Sequence, residues 1–311
     1  MSPWIAFKDG TARIWFHKRL IVWLYLANLV FAAVLLFPLR KLVSEISRTD
    51  LADEFVSGFQ IDLFVDFWAQ HSSALKSLAF SAVGLGILYL IINIFLTGGI
   101  VASLAAERQV SLRRFFYSAS RYFWRYLRLF VLLAVVVGLV LAGYNLWLDG
   151  LVDNLRKDST TDVASFLWRA LAVTLVLVFV SLIMMVFDYA KIRTVVDGRR
   201  SVIFATCVAF GFSFRRFLRT VTLFYFNLVI VGILFAIYLI VENQFSNATI
   251  GSMVSLFVVQ QIFIVSRIWM RLSFFATQMA FYCAATEVLP SPSPTETEPV
   301  PQASNEAGAN I

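Results

Sequence analysis

The stretch 111–128, SLRRFFYSASRYFWRYLR, combines two kinds of side chain that together can hold an anionic group at an apolar surface. Its arginines carry a permanent positive charge and a planar fork of donors that matches phosphate oxygens. Its aromatic rings prefer apolar or interfacial surroundings. This chemistry suits binding to nucleic acid, a pore lining or a lipid surface.

Helical spacing separates these residues onto two sides. At 100° per residue, Ser111 and Ser118 share one stripe with the arginines, and the rings take the opposite side. The arginines of this stripe are Arg114, Arg121, Arg125 and Arg128. Because the rings that would stack on bases belong to the apolar side, we expect no nucleic-acid binding. The pattern predicts an amphipathic interfacial helix, whose rings enter the acyl boundary and whose arginines meet anionic lipid headgroups. A protein partner, or anchoring of the topology alone, is the alternative.

A second basic cluster, Arg215, Arg216 and Arg219, follows the apolar run 201–214. At about 1.5 Å per residue this run is roughly 21 Å long, which is short for a hydrocarbon core of roughly 30 Å. We therefore expect a buried or re-entrant helix on the side of the first cluster. Its three arginines are a second candidate site for lipid or a partner.

Ionisable residues inside apolar runs need a partner, because a centrally placed arginine costs at least about 2.5 kcal/mol. Arg267 and Arg271 share a helix face, and Asp188 ends its apolar run at a compatible depth. The sequence predicts a structural ion pair between Asp188 and one of these arginines, with a transport relay as the alternative. Three amides form a candidate polar path, or hydrogen-bond between helices: Asn93, Asn227 and Gln260.

The residues usual in catalysis are scarce. The two histidines, His17 and His71, belong to no metal-binding or nucleophile motif. Cys207 and Cys283 are expected to be packing residues. We predict no catalytic residue, no metal and no cofactor. Close packing between helices, rather than a phosphate loop, is predicted at four glycines: Gly84, Gly86, Gly98 and Gly99.

Composition places these residues in a membrane protein. Of the 311 residues, 60% are hydrophobic and 14% charged, and the mean hydropathy is +0.80. A soluble domain of this length could not bury so much apolar surface. Six runs are long enough to cross a bilayer: 20–39, 78–104, 129–148, 166–187, 221–241 and 253–269. We expect an all-α bundle of six transmembrane helices with cytoplasmic amphipathic elbow helices.

Charge between the runs predicts their orientation. Basic residues dominate before the first run and in the second and fourth connections, whereas acidic residues dominate the first and third. Positively charged connections stay in the cytoplasm. The sequence therefore predicts a multi-pass protein of the bacterial cytoplasmic (inner) membrane, with both termini in the cytoplasm.

A weak internal similarity suggests three units. Ser111, Ala119 and Arg125 have the same spacing as three residues at the second cluster: Ser201, Ala209 and Arg215. This predicts two-helix units starting near residues 1, 105 and 188, within a membrane domain of residues 1–285.

Two further segments have a character of their own. The segment 286–311 is rich in Pro, Ser, Thr and Glu and predicts a disordered cytoplasmic tail. The acidic segment 45–70 predicts an amphipathic helix on the outer side. A divalent cation shared by Asp62 and Asp66 is a further alternative there.

A family resemblance rests on three short motifs: LTGGIV at Leu96, RRFFYSASRYFWR at Arg113 and FDYAKIR at Phe187. They are similar to stretches of uncharacterised bacterial multi-pass proteins, which distantly resemble the membrane domain attached to some glycerophosphoryl diester phosphodiesterases. The resemblance covers most of residues 1–285. It implies six helices with interfacial elbows, and it transfers no catalytic residue.

Two functions follow as hypotheses. The first is a non-enzymatic membrane protein that engages anionic lipid or a partner complex through its basic cytoplasmic helices. The alternative is a transporter or permease for a small polar substrate. A cavity that reaches the three candidate path amides would favour transport, and a dry, packed bundle would favour the first function.

Overall fold

The computed structural model describes residues 2–46, 72–106, 109–148, 150, 162–198, 201–245 and 250–286. Within these ranges the chain forms α-helices and no strand, so the predicted all-α class is confirmed. The helices are α1 (Pro3–Phe16), α2 (Arg19–Ile46), α3 (Ser72–Ala105), α4 (Leu112–Gly143), α5 (Asp162–Val196), α6 (Val202–Arg215), α7 (Phe217–Asn243) and α8 (Ile250–Thr286). The predicted acidic outer helix, with Asp62 and Asp66, and nearly all of the predicted tail lie outside the described residues.

Five of these helices, α3, α4, α5, α7 and α8, are long and apolar enough to cross a membrane. The pair α1 and α2 is bent by 73° and counts as a sixth span if the two are taken together. All six predicted runs fall in helical segments, with the third continuing from α4 into a π-helical turn at Tyr144–Leu148. The prediction of a multi-pass helical membrane bundle is therefore confirmed.

The predicted interfacial helix at 111–128 is not a separate element. Helix α4 runs without a break over 32 residues and includes both this segment and most of the third apolar run. At about 1.5 Å per residue it is roughly 48 Å long, well beyond a hydrocarbon core of roughly 30 Å. A straight helix cannot both lie in the membrane plane and cross it. The basic segment therefore extends the spanning helix, and the prediction of a separate elbow is wrong here.

The helices form a ring of three similar groups. Helices α3, α5 and α8 contact one another at the centre, with α2 between α8 and α3, α4 between α3 and α5, and α7 between α5 and α8. The first half of α4 packs on α3, α6 packs on α5, and α1 packs on α8. The N-terminal helix thereby closes the ring against the C-terminal one.

Most of the buried core lies at one end of the bundle. We call it the basic end: it consists of α1, α6, the first half of α4 and the last turns of α3, α5 and α8. Leu104, Phe115, Tyr189 and Phe281 are among its fully buried side chains. In contrast, only 6 to 17% of the most apolar stretch of each spanning helix is buried. The spans therefore face lipid along most of their length.

Glycines bring two of these contacts close. A Cβ added at Gly99 would lie 2.7 Å from the ring of Phe115, and one added at Gly10 would lie 2.7 Å from backbone atoms of Thr277. Close packing is thus confirmed for Gly98 and Gly99. It is wrong for Gly84 and Gly86, where an added Cβ meets no atom of the described residues within 4 Å.

Candidate functional site

The polar stripe of α4 carries the first arginine cluster. Ser111 caps the helix, and its Oγ accepts a hydrogen bond from the backbone N–H of Arg114 at 3.4 Å. Arg121 and Arg128 are exposed, while Arg114 and Arg125 are partly exposed. The guanidinium of Arg125 lies over the ring of Tyr122, 5.6 Å from its centroid. No arginine of the stripe is buried.

Part of the opposite side of this helix packs on protein. Phe115 is 1% exposed and lies against Gly99. The hydroxyl of Tyr126 donates to the backbone oxygen of Lys191 on α5 at 2.9 Å. The prediction that the rings enter the acyl boundary is therefore wrong for these two residues. The cause is the glycine pair 98–99 on α3, which lets α4 approach closely enough to bury them.

Other rings of α4 do reach the surface. Trp124 is 66% exposed and Tyr117 is 55% exposed, on the same stretch as the arginines. Rings of this kind favour the boundary between headgroups and acyl chains. The surface of α4 at the basic end thus offers fixed positive charge next to amphipathic rings.

The second cluster lies where α6 ends and α7 begins. Arg215 and Arg219 are exposed. Arg216 ends α6, and its guanidinium lies 5.6 Å from the centroid of the Phe212 ring. That ring in turn packs against Tyr189 of α5 at 5.4 Å. The break between the two helices is therefore held by aromatic packing, and it presents the arginines at the basic end.

Most arginines of the two clusters have no carboxylate partner among the described residues. Leaving Arg125 aside, none of their arginines forms an ion pair with a carboxylate among the described residues. Two ion pairs of the described part of the chain lie within α5, Asp188 with Lys191 and Arg193 with Asp197. An uncompensated group of arginines attracts anionic partners.

The predicted ion pair between Asp188 and Arg267 or Arg271 is wrong. Asp188 binds Lys191 at 2.8 Å instead. Arg271 donates from Nη1 to Oδ1 of Asn93 at 2.6 Å and from Nη2 to Oγ1 of Thr97 at 2.8 Å. The two acceptor residues are four positions apart on α3, so they lie on one face of that helix. Because α3 contacts α8, this face lies next to the guanidinium. Neutral oxygens satisfy the donors without desolvating a second charge.

Arg267 has different surroundings. It is exposed and lines a cavity of about 250 Å³ between α7 and α8, together with Phe235 and Phe263. A long side chain in such a position can extend toward the interface, so it needs no acidic partner.

The amides of the candidate polar path do not form one. Asn93 is occupied by Arg271. Asn227 is fully buried, donates to Oγ1 of Thr277 at 3.2 Å and accepts from Oγ of Ser273 at 3.3 Å. These bonds join α7 to α8, on a different side of α8 from Asn93. The hydrogen bonds of Asn93 and Asn227 therefore favour helix packing over a transport path.

Sequence reasoning missed two members of these networks. Thr97 is one, because its Oγ1 accepts a hydrogen bond from Arg271. Tyr25 is the other: its hydroxyl donates to Oε1 of Gln261 at 2.8 Å. The predicted residue Gln260, next to Gln261 in the sequence, is half-buried. The spacing of Asn93 and Thr97, one helical turn apart, was a usable signal for a shared face. The Tyr25 contact links residues 236 positions apart and had no local signal.

No protein-family model, curated protein or solved structure matches this chain. The resemblance to the membrane domain of glycerophosphoryl diester phosphodiesterases therefore stays a prediction.

Proposed function

We propose that this chain is a non-enzymatic integral membrane protein of the bacterial cytoplasmic membrane that engages anionic lipid through arginines at its basic end. Both termini lie in the cytoplasm in this proposal, because positively charged connections are retained there. The cytoplasmic leaflet also carries the anionic lipids that such arginines attract.

The observation that carries the proposal is the uncompensated positive charge beside exposed rings. Arg121 and Arg128 are exposed on α4, and Arg215 and Arg219 are exposed at the α6–α7 junction. Each basic residue near an anionic surface contributes on the order of 1 kcal/mol. Four such residues provide a preference for anionic over zwitterionic lipid that is large enough to measure.

The test is lipid enrichment. The purified chain is equilibrated in detergent with equal amounts of phosphatidylglycerol and phosphatidylcholine, and the retained lipid is quantified by mass spectrometry. We expect enrichment of phosphatidylglycerol, and a smaller enrichment in the combined variant Arg114→Gln, Arg121→Gln, Arg128→Gln, which leaves the arginines of the second cluster in place. Arg169→Gln, at the opposite end of α5, is the matched control and should retain the wild-type ratio.

Two outcomes would count against lipid. Equal retention of both lipids by the wild-type chain would remove the proposal. A protein that copurifies in fixed stoichiometry, and is lost with the same three substitutions while the lipid ratio stays constant, would assign the surface to a protein partner instead.

A further inference from the structure

An apolar groove lies between α4, α5 and α6 and reaches Phe217, the first residue of α7. Its volume is about 790 Å³, within the range of roughly 300–1,000 Å³ that ligand sites have. One wall runs from Leu132 to Val140 of α4, a length of about 12 Å at roughly 1.5 Å per residue. Phe179 and Ile183 of α5 belong to the facing wall.

The other two helices that a serine caps carry a ring at a position where α6 carries none. Counted from the capping serine, the fifth position is Phe7 in α1, Phe116 in α4 and Thr206 in α6. The ring of Phe7 packs on Phe226 of α7 at 5.0 Å, and that of Phe116 stacks on Phe95 of α3 at 6.2 Å. Thr206 has no ring and lines the groove. The α6 junction therefore lacks the ring that the other two junctions carry at this position.

The rings of α6 itself leave the groove open. Phe210 and Phe214 line it, stack on each other at 6.2 Å, and are 60% and 72% exposed. In a bilayer such a groove accepts an acyl chain. Lipid tails are as apolar as the leucines of the wall, so the chain alone gives little selectivity. Selectivity must come from a polar group at one end.

The polar group lies where α6 ends. Ser213 lines the groove and is 2% exposed, and its Oγ has no hydrogen-bond partner in the described part of the chain. The Oγ itself is buried beneath the groove surface, so the positive charge beyond it must supply the selectivity. Arg215 and Arg216 lie between the groove-lining residues Phe214 and Phe217. An acyl chain in the groove would therefore end close to fixed positive charge.

We propose that the groove binds one acyl chain of an anionic phospholipid, whose phosphate is held by Arg215, Arg216 and Arg219. This proposal rests on the proposed function: it gives the position at which the chain binds anionic lipid and the class of lipid that binds there. The arginines of α4 then act as a general anionic surface, and the α6–α7 junction acts as the selective site.

A ring placed in the groove tests the site directly. Thr206→Phe supplies the side chain type that α1 and α4 carry at the same position. Leu218→Phe is the matched control, because Leu218 is 78% exposed and does not line the groove. In native mass spectrometry with equal phosphatidylglycerol and phosphatidylcholine, we expect the wild-type chain and the control to retain one phosphatidylglycerol. Thr206→Phe should lose it. In Arg215→Gln, Arg219→Gln the preference for phosphatidylglycerol should fall about 30-fold, or about fivefold for each arginine.

A second measurement leaves the groove intact. Cys207 is exposed and lines the groove, so Cys283→Ser gives a chain with one thiol inside the proposed site. Phosphatidylglycerol at ten times its half-saturating concentration should slow maleimide labelling of Cys207 about 11-fold. Glycerol phosphate, which has the headgroup charge without a chain, should not slow it.

The outcomes separate this site from the proposed function. Equal lipid retention by Thr206→Phe and Leu218→Phe, or unchanged labelling of Cys207 in phosphatidylglycerol, would overturn the groove site. Enrichment that still depended on Arg114, Arg121 and Arg128 would then leave the proposed function standing. Protection of Cys207 by glycerol phosphate would show that the arginines bind a soluble anion and would also overturn an acyl-chain site.

Discussion

Arg271 shows what physical reasoning about one residue can predict. Its position in an apolar run predicts that it needs a partner, and the structure supplies one. The partner is the pair Asn93 and Thr97, not Asp188. The need follows from the sequence, because it depends on the residue and its depth. The identity of the partner depends on which helix lies beside α8, and one sequence does not contain that information.

The bond between Arg271 and Asn93 should be measurable as a coupling energy. In a double-mutant cycle of Arg271→Met and Asn93→Leu, we expect a coupling of about 1–3 kcal/mol, since both side chains belong to one network. The same cycle with Asp188→Asn in place of Asn93→Leu should give a smaller coupling energy, because Asp188 is paired with Lys191 and makes no ion pair with Arg271. Reversible unfolding in mixed micelles gives the free energies. Additive losses for Arg271 and Asn93 would contradict the observed bond.

Gly10 should tolerate no side chain. Its missing Cβ would lie 2.7 Å from the backbone of Thr277, so Gly10→Ala forces α1 away from α8. We expect a loss of about 1–3 kcal/mol of stability, as for other overpacked cores. Gly84→Ala is the control: with no atom of the described residues within 4 Å, it should be neutral or gain up to about 1 kcal/mol from helix propensity. The unfolding midpoints of both variants are measured and compared with that of the wild type. An unchanged midpoint for Gly10→Ala would contradict the close contact with Thr277.

At the scale of elements, the helices were predictable and their junctions were not. The length of each apolar run predicts every span, because it depends only on the residue types along the chain. Amphipathic spacing also predicts a polar stripe on α4, and the arginines of that stripe are exposed or partly exposed. It does not reveal what covers the other side, and here α3 covers it through Gly98 and Gly99. The unbroken course of α4 past Arg128 follows from that packing.

The continuity of α4 predicts a distance. Spin labels at Tyr117→Cys and Leu139→Cys, with Cys207 and Cys283 replaced by serine, are separated by 22 residues. A straight helix at about 1.5 Å per residue places their backbones about 33 Å apart. A bend at Arg128 equal to the 73° between α1 and α2 would shorten this to about 27 Å for the same rise per residue. Pulsed electron–electron double resonance in nanodiscs distinguishes the two distances. A second pair of labels, both within α8, calibrates the contribution of the spin-label side chains to the measured distance.

For the whole molecule, the three groups of helices are more alike than the sequence indicates. Ser2, Ser111 and Ser201 each cap a helix through a side-chain oxygen. The residue eight positions later is small and buried in every case: Gly10, Ala119 and Ala209. These features support three units, which stays a prediction. The weak similarity in sequence is understandable, because a cap and one small residue are all that each docking requires.

The ring of helices places both arginine clusters at one end, and this predicts which residues share a compartment. Cysteines introduced singly at Arg121 and Arg215, with Cys207 and Cys283 replaced by serine, should both be protected from a membrane-impermeant maleimide in intact cells. Arg169→Cys, near the start of α5, should be labelled. The reason is that moving either cluster across the hydrocarbon core would cost at least about 2.5 kcal/mol for each arginine near its centre. Permeabilised cells, in which all three sites should react, provide the control. Labelling of Arg121→Cys but not of Arg215→Cys would separate the two clusters and contradict both the ring and the lipid-binding surface built on it.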